Sequence, residues 1–154
     1  MPTLSRRTVL MSGLSVAILA PAFGFAAEEP AEFFEGDTKG VAINGADPVA
    51  YFTEGRPVAG KPEHSIAWGG TTWRFASAEN RAAFEKDPLA FAPQYNGYCA
   101  YGVAQGSKVK TEPEAWSIVD GKLYLNYDEN VQNLFSQDAR GYIATADRKW
   151  PKVK

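Results

Sequence analysis

The chain carries a single cysteine, Cys99, and a single histidine, His64, and both of its methionines, Met1 and Met11, stand near its start. One cysteine rules out a disulfide framework within the chain, and paired-cysteine haem attachment with it. One histidine beside one cysteine also rules out closed tetrahedral zinc sites built from several such ligands. With no methionine after Met11, thioether copper sites have no donor in the body of the chain. An excess of positive charge is missing too: 16 Lys and Arg face 18 Asp and Glu, for a formal net charge of −2. Such a balance gives no basic stripe for nucleic acid and none for anionic lipid headgroups. Nor is there a long apolar run. The most apolar stretch, at the N-terminus, contains Ser12, Gly13 and Ser15 and is broken by Pro21, whereas a spanning helix needs about 20 predominantly apolar residues.

That stretch instead has the layout of an export signal: a short basic region, a modest apolar region and a small-residue end. The basic region, Ser5-Arg6-Arg7-Thr8-Val9-Leu10, closely resembles the twin-arginine consensus. Cleavage after Ala26 places small residues, Gly24 and Ala26, at both positions that require them. The expected organisation is a cleaved signal peptide over 1–26, a flexible acidic lead-in over 27–39 and one domain over 40–154. The expected location is the periplasm, with no membrane anchor after cleavage.

The remaining residues alternate hairpin and helix signals. Asn44-Gly45-Ala46-Asp47-Pro48 is dense in turn formers, and Asp47 and Pro48 suit the start of a helical turn through Val49-Ala50-Tyr51-Phe52. Two β-rich runs, 64–68 and 71–75, flank Gly69-Gly70 and predict a hairpin in which Thr71, Trp73 and Phe75 share a face. Ser77 is placed to cap a helix over Ala78–Lys86 that turns Ala83 and Phe84 inward, with Asp87-Pro88 ending it. A short turn over 89–92 follows. The stretch 94–106, around Cys99, lacks a clear period and reads as an ordered loop with one helical turn. A second hairpin turns at Asp120-Gly121 between 115–119 and 122–127. Asp128 then caps a helix carrying Val131, Leu134 and Phe135, and a last helix over 138–149 ends before Pro151. The fold expected is a small single α+β domain, antiparallel β-hairpins with helices packed on the sheet. No solenoid-type repeat is evident.

The residues just described resemble the YHS domain family, in its longer exported version. The resemblance is carried by Asp47-Pro-Val-Ala-Tyr-Phe52, Glu63-His-Ser65, Trp73-Arg-Phe-Ala-Ser77 and Asn96-Gly-Tyr-Cys-Ala-Tyr-Gly102. It continues through Asp120-Gly-Lys-Leu-Tyr-Leu-Asn126 to Trp150-Pro151, over nearly the whole domain. Shorter members of that family look like heavy-metal binders related to treble clefs. Their cysteines fall where this chain has Ala50, Ala76 and Asn80, so that metal chemistry does not carry over.

Chemistry, if any, then centres on few side chains. Cys99, a lone thiol among Tyr98, Tyr101 and glycines, suits a soft metal, Cu(I) above all, or an oxidisable or partner-linking role. Equally, it suits a buried position, packed as a small apolar residue. His64 is either a second donor beside Cys99 or a strand-edge imidazole. Asp47 is a ligand or an acid, or simply a helix cap. Tyr98 and Tyr101 flank the thiol as candidate ligand-loop residues, while Trp68, Trp73, Tyr95 and Trp116 line a pocket or fill the core. A Cys99–His64 nucleophilic pair lacks a third orienting residue. Two readings follow: a copper-handling binding module using Cys99 with His64, or a non-metal module for a small molecule or a periplasmic protein, without catalytic activity.

Overall fold

The computed structural model describes residues 33–153; the expected export signal, with Arg6 and Arg7, lies outside the described residues. Among them the α+β expectation is met. A 3-10 turn, a short helix, a hairpin and two further helices follow one another, in an order that occurs twice. A 3-10 turn over Ala42–Gly45 leads to α1 (Ala50–Thr53), then the hairpin β1 (Lys61–Trp68) and β2 (Thr71–Phe75), then α2 (Ala78–Lys86) and α3 (Pro88–Phe91). A second 3-10 turn over Gln94–Gly97 leads to α4 (Ala100–Gln105), the hairpin β3 (Trp116–Val119) and β4 (Lys122–Leu125), then α5 (Glu129–Gln137) and α6 (Ala139–Val153). The hairpins form two separate two-stranded sheets, not one.

The repeat extends to the backbone. Ile43, Asn44 and Gly45 have φ of 44°, 55° and 74°, and Tyr95, Asn96 and Gly97 have φ of 53°, 53° and 80°. Asparagine and glycine tolerate this left-handed region, whereas isoleucine and tyrosine rarely enter it. Both are held there by their surroundings: Ile43 is 2% exposed and donates its N–H to the Phe34 carbonyl. Each turn packs on the second strand of its own hairpin, β2 or β4.

Local signals explain most boundaries. Ser77 Oγ accepts the Asn80 N–H and Asp128 Oδ1 accepts the Val131 N–H, so both expected caps are made. Asp87 caps α3, where Pro88 occupies the first turn. Thr71, Trp73 and Phe75 are all buried, as their period requires. In β1 the register is irregular between Lys61 and Ser65, where Pro62 has no N–H to donate to the ladder.

Three expectations are corrected. The lead-in over 27–39 is not flexible throughout: Phe33 lies in the core against Trp68 and Trp73, and the Phe34 N–H reaches the Asn96 carbonyl. The Cys99 stretch contains a six-residue helix, α4, ended by Gly106 in the left-handed conformation. The last helix passes through Pro151 to Val153. A proline so near the C-terminus forfeits one helical hydrogen bond, while Trp150 and Val153 on either side pack against the core.

Two apolar clusters result. The first gathers Ile43, Tyr51, Trp73, Phe75 and Phe84; the second gathers Tyr95, Val103, Tyr124, Phe135 and Ala146. Strand β4 divides them. Leu123 and Leu125 face the first cluster, and Tyr124 faces the second, by the two-residue alternation of a strand.

Candidate functional site

Cys99 is 1% exposed and stands at the N-cap of α4. Its Sγ accepts the Gly102 N–H at 3.3 Å and faces Asn126 Oδ1 at 3.7 Å as a thiol donor. Its own N–H reaches the Val109 carbonyl. Burial pushes the thiol above its ordinary range, against the backbone N–H groups of Gly102, Tyr127 and Tyr101, which pull the other way. The sulfur is thus protonated, enclosed and already hydrogen-bonded.

Asn126 is the residue that sequence reasoning missed here. It is fully buried directly after β4. Its Oδ1 also accepts the Tyr101 N–H, and its backbone bonds Ala115 and Glu112. Among the described residues its Nδ2 has no acceptor. Its place beyond the apolar end of a hairpin is the one sequence signal that marks it.

The other expected site residues are placed elsewhere or otherwise engaged. His64 lies in the irregular stretch of β1, half-buried, and is not among the partners found at the Cys99 sulfur. Asp47 is fully buried and accepts four hydrogen bonds, from Val49 N, Ala50 N, Ala76 N and Asn80 Nδ2. It joins α1 to the end of β2 and the start of α2, a structural anchor with its lone pairs committed. The Tyr98 ring lies between Phe34 and Trp150 with the Lys108 ammonium 5.0 Å from its centroid. Tyr101 packs on Tyr142. Both tyrosines serve to fix the loop.

The donor set therefore does not fit a soft-metal site. Among the described residues no group of three or more His, Cys, Asp and Glu side chains comes together to hold a metal ion. At the thiol the neighbours are an amide and backbone N–H groups, which are not soft donors.

Among the described residues lie two surface clefts. One, of about 370 Å³, is polar, and its central side chain is used internally: Asn44 accepts the Asp37 N–H and donates to the Thr111 carbonyl. The other, of about 250 Å³, lies where the two repeated halves meet. Phe33 and Trp68 wall it from the first half, with ring centroids 5.5 Å apart. Tyr95 and Trp150 wall it from the second, 5.8 Å apart. Among the described residues of its lining Asp147 is the one charged side chain, and Asp147 Oδ1 accepts the Tyr95 hydroxyl at 2.8 Å. Trp68 and Tyr95 were among the sequence-level pocket candidates. Trp150 and Asp147 were not: the last helix was expected to stop short of Trp150, and Asp147, though inside that helix, carries no local sign that it faces the cleft.

No protein family, curated protein or solved structure compared with this chain matches it.

Burial also raises the phenols of Tyr51 and Tyr95, the latter helped by its bond to Asp147. The sign of the pH effect follows. Below the unfolded-state values, about 8.5 for a thiol and 10 for a phenol, both states are protonated and stability is full. As pH rises past them the unfolded chain ionises first and gains, so stability falls. Denaturant midpoints are expected to be flat from pH 7 to about pH 8.5 and to drop steadily above it. In Cys99→Ser the drop should begin about one unit later, near the phenol range. A native thiol that reacts with a thiol reagent as fast as the unfolded chain does would contradict the burial on which this rests.

Proposed function

We propose that this chain is an exported, periplasmic binding module of the YHS family that receives a small organic ligand in the cleft between Trp68 and Trp150, without catalysis. Export and family membership rest on the sequence: the Arg6-Arg7 signal and the motifs around Asp47, Trp73 and Asn96. The ligand reading rests on the cleft, where four aromatic side chains and one carboxylate converge on a surface of mixed polar and apolar character. Its size suits a small molecule better than a protein segment. A binding role is favoured over catalysis because the one thiol is buried and protonated, with an amide in place of a base beside it.

The test is a fragment screen read on the tryptophan indole N–H resonances, assigned by single Trp→Phe variants. Ligands are expected to move Trp68 and Trp150 and to leave Trp116, which does not line the cleft, in place. A screen that moves neither would end the cleft reading. So would Cu(I) capture that is lost in Cys99→Ser, which would return the thiol to the centre of function.

A further inference from the structure

We infer that the ligand of this cleft is a small organic ammonium ion, with methyl or short alkyl groups on its nitrogen. This ligand class presupposes the cleft as the binding site.

The charge at the cleft is one-sided. Asp147 supplies a carboxylate, and among the described residues no Lys or Arg lines the walls. Its helical neighbours do not neutralise it: the Arg148 guanidinium donates to Thr145 Oγ1, and Lys149 Nζ donates to the Ala104 carbonyl. Among the described residues no ion pair reaches Asp147. One of its oxygens is fixed by the Tyr95 hydroxyl, which holds the carboxylate against the ring wall while leaving lone pairs for a ligand.

The walls favour the same charge. Trp68, Trp150, Tyr95 and Phe33 each present a π-system, and an aromatic face attracts a cation through its quadrupole, indole most strongly. An anion is disfavoured by the carboxylate. Asp147 is exposed, so a neutral apolar ligand would use the rings and gain nothing from the carboxylate. A heavily hydrated ion such as Lys ammonium or a bare metal cation gains little from aromatic walls. An alkylated ammonium, whose charge is spread over an apolar surface, satisfies rings and carboxylate together. The cleft volume of about 250 Å³ restricts it to a small one.

The probes are choline and its neutral carbon analogue, 3,3-dimethylbutan-1-ol, titrated into the full chain and followed on the Trp68 and Trp150 indole resonances. Choline is expected to bind with saturable shifts. The neutral analogue is expected to bind at least tenfold more weakly. Asp147→Asn keeps an acceptor for the Tyr95 hydroxyl and removes the charge, and should weaken choline at least tenfold while leaving the neutral analogue unchanged. Equal binding of the two compounds, or choline affinity indifferent to Asp147→Asn, overturns the ammonium inference and leaves the cleft reading standing. Should neither choline nor its analogue move the two resonances while other fragments do, the inference again falls alone. If no compound moves them, both fall. Should Asp147→Asn prove misfolded, raised ionic strength substitutes for it: choline affinity must decline with salt and the analogue's must not.

Discussion

Asp47→Ala is expected to destabilise the domain by about 4 kcal/mol, the largest loss from any single polar substitution in the chain. The side chain is fully buried, and its two oxygens divide the work. Oδ1 takes the N–H groups of Val49 and Ala50 at 2.8 and 3.3 Å and so begins α1; Oδ2 takes Ala76 N at 2.8 Å and Asn80 Nδ2 at 2.7 Å and so ties β2 to α2. Alanine leaves these buried donors without an acceptor, at about 1–3 kcal/mol for each that water cannot reach. The loss should exceed that of Asn80→Ala by at least 2 kcal/mol, since that change removes one donor and leaves the carboxylate its three backbone partners. Asp47→Asn should fall between, because one amide end repels the donor it faces. Equal midpoints for Asp47→Ala and Asn80→Ala in urea unfolding would show that the backbone donors find other partners, and that Asp47 is not the anchor described.

Trp73→Ala is expected to cost about 3–5 kcal/mol, enough to leave a domain of ordinary stability partly unfolded at 37 °C. Trp73 is fully buried at the centre of the first cluster. Its ring meets Phe33 edge-on at 5.1 Å, Phe84 at 5.1 Å and Trp68 at 5.9 Å, and its Nε1–H is bonded to the Trp68 carbonyl at 3.0 Å. Removing the indole opens a cavity between rings drawn from three segments of the chain, which cannot close without moving the hairpin. Trp73→Phe should cost about half as much, keeping the ring contacts and losing the hydrogen bond. A loss below about 1.5 kcal/mol for the alanine variant would mean that Phe33 and Phe84 collapse into the space. Because Trp68 forms part of the cleft wall, the alanine variant should also lose ligand binding in proportion to that collapse.

What the sequence made legible was what depends on near neighbours. Both hairpins were marked by their two-residue turns, and both caps, Ser77 and Asp128, by residue type and position. The burial of Thr71, Trp73 and Phe75 followed from their period. Features set by distant partners were not legible. Phe33 docks because Trp68 and Trp73 offer it a ring-lined seat, which nothing in the acidic residues around it announces. The continuation of α6 through Pro151 depends on Trp150 meeting Tyr95 and Tyr98 across the molecule. Asp147 lies within the helix the sequence predicts, but only its bond to Tyr95, 52 residues away, shows that it turns to the cleft. Cys99 stood between two readings that local sequence cannot separate, since what decides them is whether an imidazole or an amide faces the sulfur; the structure places Asn126 there. The repeated order of elements escaped detection because the halves share a backbone path and few residues beyond the Asn-Gly pair of each turn.

The two hairpins also differ in how much change they can absorb. A strand with one buried face can drift on its open side, and β1, exposed over much of its length, has that latitude. β4 has none, because Leu123 and Leu125 belong to one cluster and Tyr124 to the other. A slip of one residue there would exchange the faces and spoil both clusters in a single step. Selection can therefore reshape the exposed side of β1, while β4, and Trp68 and Trp73 within the first cluster, are held fixed.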